Sequence, residues 1–228
     1  MSILSRWWRV ASLATLTFLA SAPAAFAQST TEAGEALVST EWLEKNLRNA
    51  KVRVIEVSVN PGLYERGHIP GAVNFSWHND LNDRVRRDIV SQAQFEKLLS
   101  AAGVDKDTTI VLYGDNNNWF AAWGAWVFEQ YGLNNVKLLD GGRKKWEAEN
   151  RTLENRTPEY AATAFKASRP DPALRARLTD VVAVADGKSD TRLVDIRSAD
   201  EYSGKIFAPP GAAELAVRAG HILSLIHI

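Results

Sequence analysis

Hydrophobic positions along the chain alternate between short β-branched runs and stretches with helical spacing. Residues 52–57 form a run rich in β-branched residues, and residues 108–113 form a second one; such runs are typical of buried strands. Ser91 and Gln94 form a capping box, and apolar residues at helical spacing follow it over 95–102. Strands that alternate with helices in this way predict an α/β domain with a central parallel sheet flanked by helices.

Further elements continue this alternation along the chain. The pattern predicts helices over 41–47, over 119–131, from about Gly142 and over 178–186, and strands over 136–139 and 193–196. Ser39 or Thr40 is expected to cap the first of these helices. Residues 157–172 are rich in Pro, Ser, Thr and Ala with little periodicity, which is typical of a linker.

A short motif recurs late in the chain and indicates an internal repeat. Arg-Gly-His-Ile at 66–69 returns as Ala-Gly-His-Ile at 219–222, at a separation well above the period of a solenoid. The sequence therefore predicts one domain over 38–156, a linker over 157–177 and an incomplete second copy over 178–228.

The N-terminus has the layout of a secretory signal peptide. Arg6 and Arg9 precede an uncharged apolar stretch over 10–20, and the small residues Ala25 and Ala27 suit cleavage after Ala27. The apolar stretch is shorter than the roughly 20 residues that a spanning helix needs, although an uncleaved anchor stays as the alternative. We expect a signal peptide over 1–27, a flexible lead-in over 28–37, and a periplasmic or secreted product that leaves the membrane.

Composition narrows the function classes. The 27 Lys and Arg residues equal the 27 Asp and Glu residues, so the chain lacks the basic excess that favours nucleic-acid binding. The sequence contains no cysteine, which excludes a disulfide, a thiolate zinc site and a cysteine nucleophile within these 228 residues. We expect neither a cofactor nor a metal.

The segment over 64–75, Tyr-Glu-Arg-Gly-His-Ile-Pro-Gly-Ala-Val-Asn-Phe, is the most specific motif. Its Pro-Gly pair predicts a tight turn. His68 is a candidate catalytic residue, but a histidine before a tight turn more often locks the loop by hydrogen bonds to the backbone, and we favour this structural role. A metal site from His68, His78 and Asp80 is a weaker alternative, because their spacing matches no known ligand motif.

Tryptophans recur along the helix predicted over 119–131. Trp119, Trp123 and Trp126 stand at i, i+4 and i+7. A stripe of this kind is more often part of the core or of a domain interface than a platform for stacking a ligand.

Three motifs together resemble the rhodanese family of sulfurtransferases. They are the 64–75 segment, Leu-Asp-Gly-Gly-Arg-Lys-Lys-Trp at 139–146, and Asp-Ile-Arg at 195–197 followed by Glu-Tyr at 201–202. The arrangement is similar to the two-domain thiosulfate and 3-mercaptopyruvate sulfurtransferases. The resemblance implies a non-catalytic first domain and a second domain whose cysteine carries sulfur as a persulfide.

The resemblance also assigns roles to individual residues. The family's cysteine loop corresponds to residues 114–118, where Asp115 occupies the nucleophile's position; we expect Asp115 or Asn118 to cap the following helix instead. Arg197 matches a substrate-binding arginine that pairs with an anion, the alternative being a surface ion pair with Asp200 or Glu201.

After residue 222 the chain departs from the family pattern. Pro-Gly-Ala is expected there, but Leu-Ser-Leu-Ile-His-Ile follows at 223–228. We therefore expect a C-terminally truncated, exported sulfurtransferase whose cysteine lies beyond 222, with the 228-residue chain itself inactive. Its partners would be a small anionic sulfur donor and a thiophilic acceptor, and we expect a monomer. The alternative is a non-catalytic rhodanese-fold module that binds a periplasmic protein or a small anion.

Overall fold

The computed structural model describes residues 36–86, 88–211 and 216–227. The predicted signal peptide and nearly all of the predicted lead-in lie outside these residues. Leu37, the last residue of that lead-in, belongs to a strand instead.

A five-stranded parallel sheet forms the centre of the fold, in the strand order β1-β7-β6-β2-β3. Strand β6 is central, and β2 pairs with it from Val52 opposite Thr109 to Val57 opposite Gly114. The strands are β1 Leu37–Val38, β2 Val52–Ser58, β3 Val73–Ser76, β4 Asn82–Asp83, β5 Asp88–Ile89, β6 Thr109–Gly114, β7 Val136–Leu139, β8 Val194–Asp195 and β9 Ile226–His227. The predicted parallel sheet is confirmed.

Helices connect the strands largely where the sequence places them. They are α1 Thr40–Asn46, α2 Leu63–Arg66, α3 Gln92–Ala101, α4 Trp119–Gln130, α5 Gly142–Ala148, α6 Leu178–Ala185 and α7 Ala199–Tyr202. Ser39 caps α1 by accepting a hydrogen bond from the Trp42 amide at 3.1 Å. Ser91 caps α3 in the same way, although the described contacts hold only this half of the predicted capping box.

The core lies on both faces of the sheet. On one face Ile55 and Leu112 pack with Phe95 of α3 and Phe128 of α4. On the other face Val54, Val111 and Tyr113 pack with Leu43 of α1 and Trp146 of α5. Each large apolar side chain buried in this way stabilises the fold by about 1.5–3 kcal/mol. The two clusters hold β2 and β6 in place, and the loop over 114–118 begins at the end of β6.

Residues 157–175, named the strap here, form the greater part of the predicted linker. The strap has one 3-10 turn, Pro172–Leu174, and otherwise irregular backbone, as its composition predicts. It is nevertheless fastened to the first domain along its length, by bonds that include Tyr160 to Gly71, Thr163 to Ser100, Ser168 to Tyr131 and Arg175 to Asp88. The strap is therefore an integral part of the packing.

Over 178–211 and 216–227 the structure has two helices and a two-stranded parallel sheet. Strand β8 pairs with β9, with Val194 opposite Ile226 and Asp195 opposite His227. Val184 is buried here, whereas Leu178, Ile196 and Leu223 are largely exposed. No helix in the described part of the chain is long and apolar enough to cross a bilayer.

Candidate functional site

The loop over 114–118 leaves the end of β6 and leads into α4. Asn116, Asn117 and Asn118 all adopt positive φ angles, of 49°, 55° and 64°. Asparagine adopts this left-handed conformation more readily than most other residues that carry a side chain, which explains why three asparagines follow one another here. The loop thus turns sharply between the sheet and the helix.

Asp115 uses its carboxylate to hold a neighbouring loop. Its Oδ2 accepts hydrogen bonds from the backbone amides of Asn60 at 2.8 Å and Val59 at 3.4 Å, just beyond the end of β2. The other oxygen, Oδ1, is buried without a partner among the described residues. The prediction that Asp115 caps the following helix is wrong, because its side chain reaches across the sheet edge instead.

Asn118 occupies the N-cap position of α4, yet its side chain makes no capping bond. Its Oδ1 accepts from the Gly114 amide at 3.0 Å, and its Nδ2 donates to the Leu139 carbonyl at 2.7 Å. The predicted cap is therefore wrong here too, since the amide ties the loop to β7. Gly142 lies so close that a side chain there would meet Asn118 at 2.2 Å.

A buried acid lies beneath this loop, and sequence analysis did not single it out. Glu56, in the middle of β2, is fully buried. It accepts a hydrogen bond from the Tyr113 hydroxyl at 2.5 Å, and Arg143 of α5 donates to both of its oxygens at 3.1 and 3.2 Å. Burial raises the pKa of Glu56, while Tyr113 and Arg143 act in the opposite direction.

The same network fixes the backbone of the 64–75 segment. Arg143 also donates to the Gly67 carbonyl at 2.5 Å, and the Ile69 amide donates to the Tyr113 hydroxyl at 3.0 Å. Two features of the sequence could have indicated this network: an acid within a β-branched strand, and an arginine in the 139–146 motif. Neither signal indicates its partner, because Arg143 lies 87 positions from Glu56.

His68 fixes the same segment from the other side. Its ring stacks on Tyr64, with centroids 3.8 Å apart, and Nδ1 lies 2.9 Å from the Tyr64 carbonyl. Nε2 lies 3.3 Å from the carbonyl of Arg156. These contacts describe the loop-locking role favoured from the sequence.

The weaker hypothesis of a metal site is not supported where the structure can test it. His78 is exposed, and Asp80 accepts a hydrogen bond from the Ser76 amide at 2.8 Å. In the described ranges no three His, Cys, Asp or Glu side chains are grouped to hold a metal ion.

Arg197 follows β8 and is held by the acid two residues before it. Its Nε lies 3.0 and 3.1 Å from the Asp195 oxygens, and Nη2 lies 2.6 Å from Oδ2. Nη2 also donates to the Gly220 carbonyl at 2.9 Å, while the side chain stays 36% exposed. The predicted alternative of an ion pair with Asp200 or Glu201 is wrong, because those acids bond to Lys205 and Ser198.

This pairing has a clear electrostatic effect. Hydrogen bonds from Arg197 lower the pKa of Asp195 to about 2. Asp195 is therefore ionised at neutral pH, and it holds the guanidinium in one orientation.

The tryptophans of α4 do not share one environment. Trp123 and Trp126 are half-buried, and Trp126 donates to the Leu174 carbonyl of the strap at 2.9 Å. Trp119 is 63% exposed, so the stripe predicted for the core or a domain interface is not part of the core at its first position. Trp77 packs edge-on against Phe120 and Trp123.

A protein-family model and two named relatives indicate the same protein family for this chain. The model of the rhodanese-like domain matches residues 39–149. A protein named for thiosulfate sulfurtransferase activity, from Saccharopolyspora erythraea, is 51% identical over 195 residues, covering 85% of this chain and 68% of its own length. The sulfur carrier protein TtuD of Thermus thermophilus is 44% identical over 193 residues, covering 82% of this chain and 67% of its own.

A solved structure agrees at the level of the fold. The 3-mercaptopyruvate sulfurtransferase SseA from Escherichia coli superposes with a TM-score of 0.70 at 23% identity, covering 85% of this chain and 74% of its own. At this identity the likeness concerns the fold, and it matches the parallel sheet described above.

Proposed function

Because this chain belongs to the family of rhodanese-like sulfurtransferases, we propose that it serves the transfer of a sulfane sulfur. The donor is a small anion, thiosulfate or 3-mercaptopyruvate, and the acceptor is a thiophile such as cyanide or a thiol. The observation that carries the proposal is the 51% identity to a relative named for this activity.

The chemistry requires a thiolate. With thiosulfate as donor, a thiolate attacks the outer sulfur, the S–S bond of thiosulfate breaks, and sulfite leaves with the electron pair. Cyanide then attacks the persulfide, takes the outer sulfur as thiocyanate and returns the thiolate. Since the 228 residues contain no cysteine, the thiol must come from outside them.

The first domain is proposed as a scaffold. The loop over 114–118 carries Asp115 in place of a sulfur nucleophile, and its carboxylate is engaged by the amides of Val59 and Asn60. A carboxylate cannot take up a sulfane sulfur, and its charge repels an anionic donor.

Residues 178–227 are proposed as the start of a second rhodanese-like unit, with Arg197 binding the donor. Tyr202 stacks on His221 as Tyr64 stacks on His68, which supports the repeat. Among the described contacts Nη1 of Arg197 carries no hydrogen bond, so it is available for a sulfonate or carboxylate while Asp195 fixes the guanidinium.

The first experiment measures thiocyanate formation from thiosulfate and cyanide by the purified full chain. We expect none above a protein-free blank, because no thiolate is present. Thiocyanate formation by this cysteine-free chain would overturn the mechanism.

A second experiment tests Arg197 without turnover, by titrating thiosulfate into the full chain in a calorimeter. Arg197→Gln is expected to weaken binding roughly tenfold, because a charge-assisted hydrogen bond is lost. Arg192→Gln removes the same charge from an exposed neighbouring position and should leave binding unchanged. Equal affinities of the wild-type chain and Arg197→Gln would contradict the assignment.

The second candidate function is a non-catalytic module that binds a protein or a small anion. This candidate is supported by the side chains of Asp115 and Asn118, which make hydrogen bonds to backbone groups of Asn60, Gly114 and Leu139. Thiosulfate binding that survives Arg197→Gln, together with no sulfur transfer, would favour this candidate.

We also propose export, with cleavage after Ala27, on the basis of the sequence over 1–27. The test is N-terminal sequencing of the mature protein, which should begin at Gln28. An N-terminus at Met1 or Ser2 would contradict it.

A further inference from the structure

The small sheet of β8 and β9 repeats the strand pairing of β2 and β3 in the first domain. In each sheet an acid lies opposite the residue that stands six positions after the stacked histidine. The opposed residues are Glu56 and Asn74 in the first domain, and Asp195 and His227 in the second. The two strand pairs are therefore equivalent residue by residue.

The turn that leads into the second strand follows the same path in both places. Gly71 and Ser224, each three positions after its histidine, have φ angles of 76° and 68°. Glycine adopts this left-handed conformation freely, whereas a serine does so at a cost. The backbone equivalence therefore holds across the turn, although the sequences differ there.

The two sheets differ in how one face is covered. Ile55 and Val57 on β2 are fully buried. Their equivalents, Val194 on β8 and Ile196 directly after it, are 51% and 80% exposed. Ile226 of β9 lies opposite Val194 and is exposed as well. These three side chains form an apolar surface, named the open face here.

Helix α4 covers the equivalent face of the first domain. It approaches β2 closely, because a Cβ atom at Gly124 would lie 3.2 Å from Cγ2 of Val57. Ala121 and Phe128 of the same helix are buried in the same core cluster. The first domain thus shows which kind of element fits this face: an apolar helix with a small residue at the point of closest approach.

We propose that the open face binds an apolar helix of a partner protein, which packs a glycine or alanine against Ile196 and larger apolar side chains around Val194 and Ile226. Removing these side chains from water favours the association. The proposal requires neither a cysteine nor Arg197, so it holds or fails independently of the proposed sulfur transfer.

The test uses the full chain and a fluorescein-labelled peptide with the sequence of α4, extended by lysines at both ends for solubility. Fluorescence anisotropy measures the affinity, and we expect a dissociation constant of about 100 µM or below. Ile196→Asp should weaken binding roughly tenfold or more, because the helix would bury an unpaired carboxylate. Val85→Asp introduces the same charge at an exposed valine of the first domain, and this control should bind as the wild-type chain does.

Two further peptides separate helix packing from non-specific apolar adhesion. Gly124→Leu in the peptide should weaken binding roughly tenfold, because the larger side chain prevents the close approach. A peptide of the same composition in scrambled order should not bind. Equal binding of either peptide and the α4 peptide would overturn the proposal, as would no binding of the α4 peptide at about 1 mM.

The unliganded Ile196→Asp variant provides a check on folding. Because Ile196 is largely exposed, its melting temperature should lie close to that of the wild-type chain. Loss of the fold in this variant would show that Ile196 is already covered within the chain and would overturn the proposal. Equal affinity of Ile196→Asp and the wild-type chain for the α4 peptide would do so too.

Discussion

Two regions of the molecule place a tyrosine on a histidine in nearly the same way. The ring centroids of Tyr64 and His68 lie 3.8 Å apart at 6°, and those of Tyr202 and His221 lie 3.9 Å apart at 7°. In each pair Nδ1 of the histidine lies 2.9 Å from the tyrosine carbonyl. The first pair is buried, whereas Tyr202 is half-buried and His221 is exposed. The tyrosine–histidine stack therefore forms with or without a surrounding core, and at a sequence separation of 4 or of 19 residues.

Each region also contains a buried acid, and the residues that bond to this acid differ between the two regions. Glu56 is held by Tyr113 and Arg143, which come from another strand and a distant helix. Asp195 is held by Arg197, two residues away on the same segment. Burial raises the pKa of Glu56, while hydrogen bonds lower that of Asp195 to about 2. The acid of the first region is therefore held by residues distant in sequence, and the acid of the second region by a near neighbour.

The largest expected difference between the regions comes from removing each arginine. Arg143→Met leaves Glu56 buried without its cation, which should lower the free energy of unfolding by about 3–5 kcal/mol. Arg197→Met should cost less, because the Arg197 side chain is 36% exposed and Asp195 keeps the hydrogen bond from the backbone amide of residue 197. Urea denaturation followed by circular dichroism measures both.

A double variant separates charge from packing in this first comparison. Glu56→Gln combined with Arg143→Met removes the unpaired charge, so it should recover part of the stability that Arg143→Met loses. Equal losses in Arg143→Met and Arg197→Met would refute the contrast between the regions.

Removing each tyrosine hydroxyl should have a smaller effect. Tyr64 donates to the Ala72 carbonyl at 2.6 Å in the core, so Tyr64→Phe should cost about 1–2 kcal/mol by leaving that carbonyl unbonded. Tyr202 donates to Leu225 at 3.0 Å in a half-buried setting, and Tyr202→Phe should cost about 0.5 kcal/mol. Thermal denaturation of both variants measures the difference, and a reversed order would contradict it.

The two acids should respond to pH with opposite sign. The ordinary pKa of an aspartate is about 3.9, so stability from ionised Asp195 is present above about pH 4 and is lost as pH falls through 2. Glu56 has a raised pKa, so its contribution is present at low pH and is lost as pH rises through that value.

Carboxyl-carbon NMR titration measures both values directly. The Asp195 signal should titrate near 2, and that of Glu56 above its usual value of 4.5. Arg197→Gln should raise the Asp195 midpoint, while Arg192→Gln should not. An Asp195 midpoint near 4 in the unmodified chain would rule out the pairing.

The smallest effect is expected on shortening Ile196, the apolar residue that follows Asp195. Its counterpart after Glu56 is Val57. Val57 follows Glu56 and is fully buried, whereas Ile196 follows Asp195 and is 80% exposed. Ile196→Ala should change the free energy of unfolding by no more than about 0.5 kcal/mol, and Val57→Ala should lower it clearly more. A large loss in Ile196→Ala would show that this face is covered in solution.

The fold was predictable because its signals are local. β-branched runs marked β2 and β6, and Ser39 and Ser91 marked the starts of α1 and α3. The family was predictable from contiguous motifs, of which the 64–75 segment is the most specific.

The site contacts were less predictable, because their partners lie far apart in sequence. Asp115 was expected to cap a helix, but an acceptor cannot be matched to the amides of Val59 and Asn60 without the sheet register. Glu56 was missed for the same reason. Composition identified the strap as irregular, but its hydrogen bonds to Ser100 and Tyr131 depend on tertiary packing.

The strap's bonds have a consequence for how its sequence can drift. Five of its donors to the first domain are backbone amides, those of Thr163, Phe165, Ala167, Ser168 and Asp171. Most side chains at these positions can change during evolution without altering the path, but proline is excluded because it has no amide hydrogen. The nearby prolines stand at 158, 170 and 172, and none of them occupies one of these five positions. Orthologous straps should therefore diverge in sequence while they avoid proline at the same five positions.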